Sequence, residues 1–399
     1  MKTNKWTVYA ERGVSPDKAD VHKAVAKLSQ GLFPTAFCKI LPDVLAGSPN
    51  HCNILHADTA GTLAGLVWLV WKTTGNLEAV KSASIAALVM NTDDVACVGA
   101  VDNFLVNQTV GRNSFVVPAE VLEAVIAGAQ EFCDMLASLQ IKCVFAGGET
   151  ADVPDIVRTL DVGSSLAVRM KRSHIIDAGR MEPGDYIIGL SSTGTAEWEK
   201  GSNSGIGANG LTNARHDLLR PLYRSIRDSH APQMRKGLAY RGPFKFENQL
   251  PETRFTIAEA LTSPTRTYLP IVKDILRTVG RKHIKGIIHC SGGGQTKIGK
   301  FGPAHNRYVK HTMSPVPRLF ETIQKVSGLT WWEMYKVFNM GHRMEFIVPD
   351  AKIAQDCIDV SFGYRVPAQV VGHIEVRPSN EPERVFITLP HCPTTVLKY

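Results

Sequence analysis

No membrane-length apolar run, cysteine cluster or basic tract interrupts this chain of 399 residues. The most apolar short stretch, residues 63–71, is under half a membrane span. Residues 83–100 are long enough, but Asp93 and Asp94 would lie inside the span, where two carboxylates are costly. The start, MKTNKWTVYAERG, has no apolar leader-type segment. No membrane association and a cytoplasmic location are therefore expected. The cysteines (Cys38, Cys52, Cys97, Cys133, Cys143, Cys290, Cys357, Cys392) are scattered and form no C-x-x-C pair. That spacing excludes a disulfide scaffold and predicts reduced, mostly buried thiols without a thiolate zinc site. Lys and Arg exceed Asp and Glu by +8, but they are dispersed. The excess suits anionic ligands such as phosphates, and no nucleic-acid partner is expected.

Several common catalytic signatures are also missing. There is no Walker lysine motif, no G-x-G-x-x-G after a first strand, no kinase set, no G-x-S-x-G and no H-E-x-x-H. No short tandem repeat is present. What remains is an ordinary folded composition, 44% hydrophobic and 21% charged. The length is too great for one compact core, so two domains are expected, with a boundary near residue 171.

The pattern is α/β. Residues 53–57 read as a strand running into an acidic turn, Asp58-Thr59-Ala60-Gly61-Thr62. Residues 76–90 read as a helix that Asn91-Thr92-Asp93-Asp94 follows or interrupts. Pro118 opens the clearest helix, with an apolar face from Val121 to Leu139. Strand 141–145 then leads into Gly147-Gly148-Glu149-Thr150. Strands are expected at 159–170, 186–190, 284–288, 345–348 and 369–376, and helices at 211–219 and 266–279. Residues 228–262 read as a long surface excursion.

Four segments carry candidate chemistry: Asp58 to Thr62, Asp93-Asp94, Gly147 to Asp152, and Ser204 to Gly210 before a helix. Mg²⁺ takes hard oxygen ligands and often uses only one or two carboxylates beside nucleotide phosphates. Glycines before a helix let backbone N–H groups face a phosphate. Together they predict an ATP·Mg²⁺ site.

In this order the segments resemble the aminoimidazole ribonucleotide (AIR) synthetases, the phosphoribosylformylglycinamidine cyclo-ligases of purine biosynthesis. DTAGTL at 58–63 is similar to that family's D-G-x-G-T-K, and GGETAD at 147–152 to its G-G-E-T-A-E. SGIGANGL at 204–211, SPTRTY at 263–268, SGGG at 291–294 and VFNMG at 337–341 resemble further family segments. The resemblance implies an α/β (α+β) fold of two domains, residues 1–170 and 171–399. The N-terminal domains would pair in a homodimer through a small β-barrel. It also implies ATP-dependent closure of the imidazole ring of formylglycinamidine ribonucleotide, a small phosphoribosyl substrate, giving ADP and phosphate. Carried over, Asp58, Asp94 and Asn209 are the catalytic candidates, and Asp58, Asp94 and Glu149 the metal ligands. Thr62, Asp93, Gly148, Glu149, Thr150, Gly205 and Gly210 would bind the nucleotide, and Thr265 and Arg266 the substrate.

The pattern also departs from the family. Thr59 replaces a glycine and Leu63 a lysine, which leaves Arg112, Lys142 or Lys297 to supply the cation. Those changes are the basis of the alternative, a divergent paralogue with an altered substrate or no catalysis, acting as a dimeric scaffold or partner. Kinase and dehydratase branches of the superfamily lack support, since there is no Cys-rich N-terminal loop and no terminal Cys. His56, His289 and His342 read as packed rather than catalytic.

Overall fold

A computed structural model describes residues 7–15 and 19–399. Two mixed sheets divide the chain, which passes from one to the other between Lys171 and Tyr186. The first contains β1 (Leu41–Pro42), β2 (His51–Thr59), β3 (Phe104–Arg112), β4 (Cys143–Asp152) and β5 (Leu160–Lys171), in the order β1-β2-β5-β3-β4. Only β3 and β4 pair in parallel. The second contains β6 (Tyr186–Ser191), β7 (Gly286–His289), β8 (Asn306–Lys310), β9 (His342–Val348), β10 (Ala368–Val376), β11 (Val385–Leu389) and β12 (Cys392–Lys398). Its order is β12-β11-β8-β10-β6-β9-β7. The expected two-part α/β architecture is present, but neither sheet closes into a barrel.

Helices α1 (Thr7–Glu11) and α2 (Ala19–Val25) precede the first sheet. Helices α3 (Thr62–Thr74), α4 (Glu78–Ala96) and α5 (Ala119–Ser138) cover one face of it. The period-2 pattern of β3, alternating buried and exposed along FLVNQTV, turns Phe104, Val106 and Gln108 toward the helices. The other face is bare: Leu55, Leu105 and Val144 are 68%, 57% and 42% exposed. The second sheet is accompanied by α6 (Leu211–Leu218), α7 (Ile257–Thr262), α8 (Leu269–Ile275), α9 (Arg318–Ser327), α10 (Trp331–Val337) and α11 (Ala351–Gly363). Thr256 and Thr330 open α7 and α10 with reciprocal capping boxes to Glu259 and Glu333, satisfying otherwise orphan N–H groups.

Three expectations need correction. Helix α4 does not stop at Asn91; it continues through Asp93 and Asp94, because it is buried on almost all sides. Such a helix shows no amphipathic stripe to mark its length. Strand β4 likewise continues through the Gly-Gly-Glu-Thr segment, with Gly147 at φ 81° where the β3 register shifts. Residues 228–262 are no surface excursion either, since Tyr240, Phe246, Leu250, Ile257 and Leu261 are buried in the core. Aromatic anchors without periodicity gave no strand or helix signal there.

Seven of the eight cysteines are buried and all are free thiols. Among the described residues no helix is long and apolar enough to cross a membrane.

Two buried histidines make stability pH-dependent. Burial, with nearby Arg215 and Arg12, holds His216 far below its ordinary pKa. Burial also lowers His342, despite its hydrogen bond to Glu345. Below about pH 6.5 the unfolded chain takes up protons on both that the folded chain refuses, so acid favours unfolding. Urea denaturation at pH 5.5 should show a lower stability than at pH 7.5. Equal stability at the two values would contradict this assignment.

Candidate active site at the junction of the two sheets

Asp94 lies in the last turn of α4, where the helix dipole disfavours a carboxylate. Neighbouring groups compensate. His289, the last residue of β7, faces Asp94 Oδ1 through Nδ1 at 2.7 Å. His56 of β2 faces Oδ2 through Nε2 at 3.6 Å. Burial pushes this carboxyl upward, but the His289 hydrogen bond and the His289, His56 and Lys297 charges outweigh it, so it stays below its usual range. Asp94 is therefore ionised.

The orientation of His56 follows from its neighbours. Asn91 Nδ2 donates to Ala87 O and Ser164 Oγ, which leaves Asn91 Oδ1 as an acceptor. That oxygen lies 2.9 Å from His56 Nδ1, so Nδ1 carries the proton. His56 Nε2 stands 3.6 Å from Asp94 Oδ2, too far for a hydrogen bond, so no donor closes on that oxygen.

The second part of the site comes from loops of the second sheet. Asn209 Nδ2 donates to Ser291 Oγ at 2.6 Å, and Gly292 N–H donates to Asn209 Oδ1 at 3.2 Å. The Ser-Gly-Gly-Gly turn thus docks on the loop that opens α6. Gly210 caps that helix at φ 73°, and a Cβ there would meet the Phe338 ring at 2.2 Å. Helices α3 and α6 begin side by side, with Thr62 Oγ1 and Thr212 Oγ1 2.5 Å apart. A circuit results: Thr62 to Thr212, Asn209 to Ser291, His289 to Asp94, then His56 and along β2 to Asp58. Two helix N-termini and a glycine turn border it, and both features favour an anion.

The candidate residues divide around this circuit. Asp58, Asp94, Asn209, Thr62 and Gly210 lie on it. Asp58 shares a side of β2 with His56, and its Oδ1 accepts the Thr59 N–H at 2.7 Å. Gly205 is buried beside it, its carbonyl accepting from Asn339, so it shapes the loop instead of touching a phosphate.

Glu149 does not join the others. It lies in one cross-strand row with Thr109, Gly163 and Thr59 on the uncovered face. Asp58, Ser164, Gln108 and Gly148 form the neighbouring row, facing the helices. Three strand spacings put Glu149 about 14 Å from β2. One chain therefore cannot gather Asp58, Asp94 and Glu149 on a single ion. Gly148 and Thr150 are exposed on the same edge strand.

Asp93 is a strut, not a nucleotide contact. Its oxygens accept from Thr267 Oγ1 at 2.6 Å and Tyr268 N–H at 2.9 Å, and burial raises its pKa. Arg266 is fully buried with five donors committed, to Glu199 Oε1 and Oε2 and to the carbonyls of Ser191, Thr193 and Gly194. A guanidinium has five N–H groups, so none remains for a substrate phosphate. Thr265 is buried with an unpartnered hydroxyl.

The departures at 59 and 63 also acquire an explanation. Thr59 ends β2 in an extended conformation, and the positive φ falls on Gly61 at 53°. Leu63 is fully buried in the core beneath α3, so a lysine there would be driven into apolar surroundings. Arg112 is paired with Asp152, and Lys142 immediately precedes β4, the edge strand at the far side of the sheet from β2. Lys297 is the cation near Asp94.

His56 and His289, read from the sequence as packed, both face Asp94, and neither belongs to a motif that would show this. The period-2 rule alone puts His56 on the Asp58 side of β2. His342 is packed as expected, 2.8 Å from Glu345. Cys290, His342 and Glu345 converge closely enough for a metal. Lys310 already supplies the positive charge, its ammonium bonding Glu345 Oε1 at 2.5 Å and Gln295 O and Oε1 at 2.7 and 3.0 Å.

This is a two-sheet α/β protein with an anion-receptive junction. Residues 52–166 match the N-terminal domain, and residues 182–383 the C-terminal domain, of the AIR synthase related proteins. The chain belongs to that family. It is 29% identical over 296 residues to the phosphoribosylformylglycinamidine cyclo-ligase of Methanocaldococcus jannaschii, covering 73% of this chain and 71% of that one. Among solved structures it is similar to a HypE–HypF complex, with TM-score 0.57, 12% identity, and coverage of 96% and 99%. It is also similar to Thermotoga maritima PurL complexed with AMPPCP, with TM-score 0.52, 10% identity, and coverage of 98% and 49%. At these identities the two structures speak for the fold alone.

Proposed function

We infer that the chain is an ATP-dependent cyclo-ligase that closes the imidazole ring of formylglycinamidine ribonucleotide, as the names of its relatives indicate for them. The observation that carries this reading is the circuit. Contacts between segments up to 195 residues apart link into one circuit bordered by two helix N-termini, a glycine turn and an ionised aspartate. That is a setting for a polyphosphate and a divalent ion.

Asp94 with Asp58 would hold Mg²⁺, since Asp94 Oδ2 has no short hydrogen bond. The ion, when bound, supplies charge neutralisation on the phosphates. The chain's own residues do the rest. The starts of α3 and α6 orient the phosphates through N–H groups, and Asn209 holds the glycine turn against them. His289 fixes the Asp94 carboxylate. Transfer of the terminal phosphoryl group to the formyl oxygen makes that oxygen a good leaving group. The amidine nitrogen then bonds the carbon as phosphate departs. Alignment and charge compensation are the protein's contribution.

Incubation with ATP, Mg²⁺ and formylglycinamidine ribonucleotide should give aminoimidazole ribonucleotide and ADP in equal amounts. Nucleotide binding without product would overturn the substrate assignment.

A second copy is proposed to pair through the uncovered face around Leu55, Leu105 and Val144. Exposed apolar sheet faces of this kind mark interfaces. Such pairing is also what could bring Glu149 to a nucleotide. Leu105→Glu should convert a dimer to a monomer in light scattering, and an unchanged dimer mass would place the interface elsewhere.

A further inference from the structure

Lys297 is half-buried, and among the described residues it makes no hydrogen bond or ion pair. It follows the glycine turn closely, and its aliphatic chain lies back over Gly293, where an added Cβ would meet Lys297 Cδ at 3.6 Å. Its ammonium is 5.2 Å from the centre of the Phe37 ring. Phe37 is itself stacked on Phe301 at 4.7 Å, and the adjacent Cys38 donates its thiol to the Asp94 carbonyl at 3.0 Å. The lysine is thus braced by apolar contacts on the wall of the circuit, near Asp94 but without a hydrogen bond or direct ion pair to it. The neighbouring cations are committed: Arg266 to Glu199 and carbonyls, Lys310 to Glu345 and Gln295, Arg112 to Asp152. Its charge acts on Asp94 at a distance, without a direct ion pair, so the N–H donors of Lys297 can also meet an anionic ligand at the same place.

We propose that Lys297 binds the terminal phosphate of the nucleotide and neutralises the phosphoryl group during its transfer. This rests on the ATP-dependent reading above. In the step, the bond from the terminal phosphorus to the bridging oxygen breaks, and that oxygen keeps the electron pair and leaves as ADP. The formyl oxygen forms the new bond to phosphorus. Lys297 gives and takes no proton; it stabilises charge on the oxygens in flight. Its position on the turn after Ser291–Gly294 differs from the α3 position, where Leu63 faces the core.

The test is calorimetric titration of the full chain with Mg²⁺ and either ADP or a non-hydrolysable ATP analogue, alongside turnover. The natural chain should bind the analogue more tightly than ADP. Lys297→Met should keep ADP affinity within about twofold, lose the preference for the analogue, and turn over about 100-fold more slowly. Lys297→Arg should recover part of the preference. Retained preference and turnover in Lys297→Met would overturn the proposal. If the natural chain binds no nucleotide, the ATP reading falls and takes this one with it. If it binds and discriminates but forms no aminoimidazole, only the ring-closing reaction falls.

Discussion

Replacing Asp94 by Asn should lower kcat by about 1000-fold or more while leaving the fold intact. The substitution keeps the shape and one acceptor for His289 but removes the charge of the ionised carboxylate that His289 and His56 face. The neighbouring Asp93→Asn should do the opposite. It loses one of two buried acceptors for Thr267 and Tyr268 and should cost about 1–3 kcal/mol of stability, with kcat changed far less. Steady-state kinetics and urea denaturation on both variants separate the roles. Equal loss of kcat in the two would mean that the pair acts as a unit.

Arg266→Met should destabilise the chain by about 3–5 kcal/mol. The change leaves Glu199 without its cation and removes the guanidinium donors from the carbonyls of Ser191, Thr193 and Gly194, which keep only their second donors, Tyr268 Oη–H, Ser191 Oγ–H and Asn203 N–H. Those carbonyls belong to the turn that leaves β6 and borders Gly205. The variant should therefore unfold at lower urea and lose activity through the loop. A variant as stable as the natural chain, with only a raised KM for substrate, would restore Arg266 to substrate binding.

Sequence reading located the acidic and glycine-rich segments but not their orientation. Asp58 was legible because a strand ends there. Asp94 was legible as a carboxylate but not as part of a helix, since α4 is buried all round and carries no stripe. Asp93 and Asp94 are adjacent letters, and only the rotation of the helix decides which meets His289 and which meets Tyr268. The place of Glu149 was not legible because a glycine pair reads as a turn, whereas here it is a bulge in a continuing edge strand. Arg266 looked like an anion binder, since an arginine committed to carbonyls has the same letter. Lys297 and His289 gain meaning only from β7, which brings the glycine turn to α4.

The most direct measurement is a structure of the chain with Mg²⁺ and a non-hydrolysable ATP analogue. The phosphates should lie between Thr62 and Asn209, against the Ser291–Gly294 turn, with the ion on Asp94. A nucleotide on the opposite side of the first sheet, or away from Asp94, would contradict the account.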